Sequence, residues 1–136
     1  VRLDVVFEEI FATLDAADIG LNVPSDGPGV RGGLPAPYAE LPEITYGDGG
    51  RGLDRIEDLG LMIVFGPATN AATFKLALQH ASSGGPKSVE VILQSHVWVS
   101  CGTLFVRRAV PSLETERGGN PALAYTFHID ITGRPG

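Results

Sequence analysis

The sequence predicts an α+β domain: a mostly antiparallel sheet, an N-terminal helix and a central helix packed on one face of it, and long hairpin loops projecting from it. Three observations point to this class. Leu3, Phe7, Ile10 and Leu14 recur at helical spacing, with Val6 and Phe11 widening the stripe. Ile56 to Phe65 and Ala122 to Thr132 alternate with the period of two that a strand requires. Glycine- and proline-rich segments separate the runs of strands from a second helical run.

The first helix carries Asp4, Glu8, Glu9 and Asp15 mostly off its apolar stripe, and Gly20 is a stop signal. Leu21-Asn22-Val23 reads as a short strand running into the turn residues Pro24 to Gly29, and the loop continues through Gly32 to Pro35. Tyr38 to Tyr46 alternates around Pro42, which has no ladder donor, so it reads as an edge or interrupted strand. In Ile56 to Phe65, residues Leu59, Leu61, Ile63 and Phe65 share one face and Gly60, Met62 and Val64 the other. Both faces look covered, which is the pattern of a central strand. The two strands and the glycine-rich segment between them form a long hairpin.

Gly66-Pro67 ends that strand, and Thr69 or Asn70 caps a helix over Ala71 to Ala81 with Phe74, Leu78 and Ala81 as its inner stripe, supported by Ala71 and Ala77. Ser82 to Pro86 ends it. Ser88 to Gln94 is read as a short helix because Pro86 suits a helix start, although its β-branched content also suits a strand. Leu104 to Val110 is a strand, Pro111 to Pro121 a long polar loop, and Ala122 to Thr132 the closing strand. In that strand Tyr125, Phe127, Ile129 and Ile131 point inward. Residues 1–133 form one domain, and residues 134–136 are expected to be a mobile tail.

The 136 residues are 43% hydrophobic and 19% charged, a globular composition. Net charge is −6, and the basic residues are scattered, so high-affinity binding to a phosphate backbone is not expected. A single cysteine, Cys101, forms no internal disulfide and no thiolate zinc site, and it reads as a small buried hydrophobe. With no apolar run long enough to span a bilayer and no signal-peptide pattern, the chain is expected to be soluble.

The stretch Gly47 to Arg55, GDGGRGLDR, contains a literal G-x-G-x-x-G. It leads into a strand rather than a helix, and no Lys-Ser or Lys-Thr follows, so it fails the tests for a nucleotide loop. It reads as a hairpin loop. His128 and Asp130 share a strand face but have no evident nucleophile or pocket beside them. His80, His96 and His128 lack metal-ligand spacing. No catalytic role, cofactor or metal is expected. Long loops in a compact domain are usually functional or disordered, and here contact with other proteins is the expected function. Arg107-Arg108 is expected to place one basic side chain on each strand face, with at least one needing an acidic partner or an intersubunit contact.

Several segments carry a family resemblance: Leu34 to Tyr38, Leu41 to Tyr46, Gly50 to Arg55, the apolar strand Leu59 to Phe65, and Ser82 to Val89. They resemble actinobacterial-phage head–tail connection proteins. The element order is similar to that of tail terminator proteins of long non-contractile-tailed (siphovirus-type) phages, and the resemblance spans about residues 1–133. It implies a virion protein, assembled in the host cytoplasm and found at the head–tail junction. A homohexameric ring would cap the tail tube protein, end tube polymerisation and meet the head-side connector (stopper) protein. DNA would pass through the lumen without sequence-specific binding, which an acidic chain permits. A neighbouring neck or tail-completion protein and a small non-catalytic protein-binding domain are the alternatives. On the ring reading, Asp48, Arg51, Asp54 and Arg55 contact the neighbouring subunit or the tube. Glu114, Glu116 and Arg117 form a second loop contact, with Arg107 and Arg108 as further interface residues.

Overall fold

A computed structural model describes residues 2–23, 34–42, 55–115 and 120–133. Its elements are α1 (Leu3–Ala16), β1 (Ala36–Ala39), β2 (Arg55–Pro67), α2 (Ala71–Ala81), α3 (Val89–Ser95), β3 (Thr103–Thr115) and β4 (Pro121–Thr132). The strands form one four-stranded sheet in the order β1-β2-β4-β3, with every neighbouring pair antiparallel. The α+β class is as the sequence predicts, and β2 lies centrally between β1 and β4.

The helices and one sheet face enclose a single main core. From α1 come Val6, Phe7, Ile10, Phe11 and Leu14. β2 contributes Leu59, Leu61, Ile63 and Phe65, β4 contributes Phe127, Ile129 and Ile131, and α3 contributes Val89 and Leu93. Burying each such side chain stabilises the fold by about 1.5–3 kcal/mol. The opposite sheet face carries a smaller cluster of Val64, Ala122 and Ala124, with Leu34, Tyr38 and Met62 against it. No described helix contributes to it.

Caps hold the short helices. The Asn70 side chain accepts from the Ala72 N–H at 2.8 Å, and the Ser88 hydroxyl accepts from the Val91 N–H at 3.3 Å. Pro86 lies in the turn ahead of Ser88, so the cap rather than the proline starts α3.

The structure corrects five expectations. Leu21–Val23 is irregular; the Asn22 N–H is taken by the Pro35 carbonyl at 2.7 Å instead of a strand ladder. β1 starts at Ala36 and ends at Ala39, short of Pro42. On α2 the buried residues are Thr73, Ala77 and His80, whereas Phe74 and Leu78 are 58% and 45% exposed. β3 runs on through Pro111 to Thr115, so the first part of the expected polar loop is strand. An edge strand tolerates a proline, because its missing N–H can face away from the ladder. Finally, Arg107 and Arg108 do not take opposite faces. A β-bulge makes Arg107 an extra residue between the Val106–Ile129 and Arg108–His128 pairs, and both arginines are exposed.

Candidate assembly surfaces

The sheet face away from the helices presents a polar constellation built by irregularities in two ladders. In β2, Glu57 and Asp58 together stand opposite Asp130 alone. Asp58 has φ 64°, in the left-handed region that few non-glycine residues adopt. That turn aims its N–H at the Asp130 carboxylate, 3.0 Å away, and its own carboxylate at His128, whose Nδ1–H donates across 2.5 Å. In β3 the bulge brings Arg107 Nε to 3.5 Å from the other Asp130 oxygen. Asp130 therefore joins β2 to β3 across β4. Arg108 stands opposite His128 and has no acidic partner among the described residues. Phe105, 59% exposed, lies opposite Asp130, and Val110, 42% exposed, lies opposite Thr126. Bulges re-aim side chains, and here two of them gather five ionisable groups on one open face.

His128 and Asp130 do share a face, as expected, but they do not pair with each other. The histidine's partner is Asp58. Among the described residues no group of three or more His, Cys, Asp or Glu side chains could hold a metal ion.

Glu114 lies in β3 rather than in a loop, half-buried, and accepts from the Ser112 hydroxyl at 3.2 Å. Arg55 opens β2, and its side chain is outside the described residues. So are Asp48, Arg51, Asp54, Glu116 and Arg117, and with them the glycine-rich stretch 47–54.

A second site, which sequence reasoning missed, fixes α1 to the segment between α3 and β3. Glu9 accepts from His96 Nε2 at 2.7 Å, from the Val99 N–H at 3.0 Å, and from the Ser100 N–H and hydroxyl at 2.8 and 2.6 Å. Burial pushes its carboxyl upward, but the Ser100, Val99 and His96 hydrogen bonds outweigh this and hold it at about 2. Trp98 anchors the same segment by donating Nε1–H to the Leu93 carbonyl at 2.9 Å, with His96 edge-on to its ring at 4.6 Å. The alternation leaves Val97 and Val99 pointing out, 84% and 74% exposed. The only sequence trace of this clamp is Glu9 itself, an acid next to the apolar stripe.

Comparison with protein-family models, curated proteins and solved structures finds no match to this chain. Among the described residues, no helix is long and apolar enough to cross a membrane.

Proposed function

We propose that the chain is a structural, non-catalytic subunit of a phage virion: a tail terminator. Copies of it form a homohexameric ring at the head–tail junction that caps the tail tube, ends tube polymerisation and meets the head-side connector protein. Genomic DNA transits the lumen. The observation that carries this reading is the spread of large exposed apolar side chains over both layers of one small domain. Phe74 and Leu78 lie on α2, Val97 and Val99 beside the Glu9 clamp, and Phe105, Val110 and Leu113 on β3. Apolar side chains left in solvent are stabilised when a partner covers them. A ring subunit needs several such surfaces at once, because it touches two neighbours, the tube and the connector.

The test is direct. Purified protein is weighed by native mass spectrometry and then added to polymerising tail-tube protein under the electron microscope. A discrete hexamer and tubes of limited length are expected. A chain that neither binds tube ends nor alters their length overturns the reading. Charge reversal at Arg51 together with Arg55 is expected to impair ring or tail assembly in the same assay.

A further inference from the structure

We propose that two copies of this chain pair face to face through the open side of the sheet, about a two-fold axis that runs along the strands. The strand register makes this face complementary to itself. The Glu40 N–H donates to the Gly60 carbonyl at 3.0 Å, Gly60 stands opposite His128, and His128 stands opposite Arg108. One row across the sheet therefore runs from an acid, past a residue with no side chain and an imidazole, to a base, with its ends about 14 Å apart. Turned over on itself, the row brings Glu40 to Arg108 of the second copy and the space above Gly60 to His128 of the second copy. The next row, Tyr38, Met62, Thr126 and Val110, turns over in the same way and sets Val110, 42% exposed, on Tyr38 of the second copy. An isologous contact needs a patch that complements its own copy, and these two rows supply one.

Within one copy Arg107 is held by Asp130 and His128 by Asp58. Glu40 and Arg108 are exposed, and neither has an oppositely charged partner among the described residues. The Glu40 side chain lies over Gly60, where a Cβ would stand 3.1 Å from that of Glu40. Swinging out to Arg108 of the second copy, it uncovers that space for the incoming imidazole. The described helices all pack on the other face of the sheet. Neither sheet edge competes well. The β1 edge spans only Ala36–Ala39 and contains Pro37, which has no N–H. On β3, Gln94 Oε1 takes the Val106 N–H at 2.8 Å, and Pro111 has no donor to offer. A two-fold contact ends at two copies, so it is separate from the contacts that would close a ring, and a ring using both would be doubled.

A charge-swap experiment tests it. Arg108→Glu and Glu40→Arg are made in the full chain, their folding is checked by circular dichroism, and masses are read by native mass spectrometry and sedimentation. The wild-type chain is expected to pair, and the pair should weaken as salt rises from about 0.05 to 0.5 M, because the contact is screened. Each swap alone sets like charges together at both ends of the row and should weaken pairing on the order of tenfold or more in apparent Kd. Mixed one to one, the two variants should form a discrete mixed pair, since each supplies the charge that the other lacks. Val110→Lys should also weaken pairing, whereas Leu113→Lys, on the helix side of the same strand, should not. If a charge swap fails to fold, that contrast decides. A wild-type chain that stays monomeric at low salt overturns the pair. So do masses unchanged by either swap, no mixed pair on mixing, or an open-ended ladder of alternating copies. A hexamer that neither swap disturbs overturns the pair and supports the ring. A pair or doubled ring lost in each swap and recovered on mixing supports the pair, and tube capping then judges the terminator reading separately.

Discussion

Two histidine–carboxylate pairs in this protein have nearly the same length and do different work. His96 meets Glu9 at 2.7 Å and His128 meets Asp58 at 2.5 Å. The Glu9 side chain is 16% exposed and also receives two backbone N–H groups and a hydroxyl. The Asp58 side chain is 51% exposed, on an open sheet face. Contact distance therefore says little about what a pair contributes. Burial and the number of donors left stranded by its loss decide that. The first pair holds helix and loop together, and the second arranges charge on a surface.

The largest effect is expected at the first pair. Glu9→Ala leaves the Val99 and Ser100 donors without an acceptor and should cost about 2–4 kcal/mol in urea unfolding. A loss as small as that of a surface mutation would break the comparison. Acid titration sharpens it. Because folding lowers the Glu9 carboxyl from 4.5 to about 2, its contribution is complete above about pH 4.5 and fades as pH falls through about 2. Solvent screening at this partly open site limits that contribution to on the order of 2 kcal/mol. Glu9→Gln should flatten the stability profile over that window.

His80 adds a separate acid-sensitive step. It is fully buried, donates Nδ1–H to the Leu76 carbonyl at 3.1 Å and lies edge-on to Phe65. Burial lowers its pKa below 6.5, so the unfolded chain takes up the proton first and stability drops as pH falls through about 6.5. His80→Phe should remove that step and leave the Glu9 step in place.

The smallest effects belong to the second pair. His128→Ala should change stability by no more than about 0.5–1 kcal/mol. Asp58→Gly should be nearly neutral, because the left-handed backbone that glycine prefers offsets the lost hydrogen bond. Both variants are read by thermal melts, and a cost at Asp58 matching that at Glu9 would erase the distinction between the pairs.

The layout of elements was legible where one signal dominated. The α1 stripe and the alternation in β4 each point one way, and the observed elements follow them; the cap of α2 was legible only as Thr69 or Asn70, and Asn70 takes it. The α2 face was not legible. Thr73, Ala77 and His80 lie one position before Phe74, Leu78 and Ala81, so both sets have helical spacing and the more apolar one looks like the core. In this protein the larger side chains are left to solvent. The faces of Arg107 and Arg108 were equally hidden. Counting by twos assumes an unbroken ladder, and a bulge adds a residue that no local sequence signal announces. Pro111 looked like a strand end because a proline ends a central strand but not an edge strand. The Glu9 clamp depends on partners about ninety residues away, which periodicity cannot register.

Cys101 follows directly after the clamp residue Ser100. It is the chain's single thiol, it has no exposed surface, and burial together with the Glu9 charge pushes its pKa up. An alkylating reagent can reach it only when the surrounding structure opens. Its labelling rate is therefore a clock for that opening, with no probe to introduce. Labelling that tracks global unfolding would mean that the segment after α3 opens only with the core. Faster labelling would mean that the clamp releases by itself, exposing the thiol while the sheet stays folded.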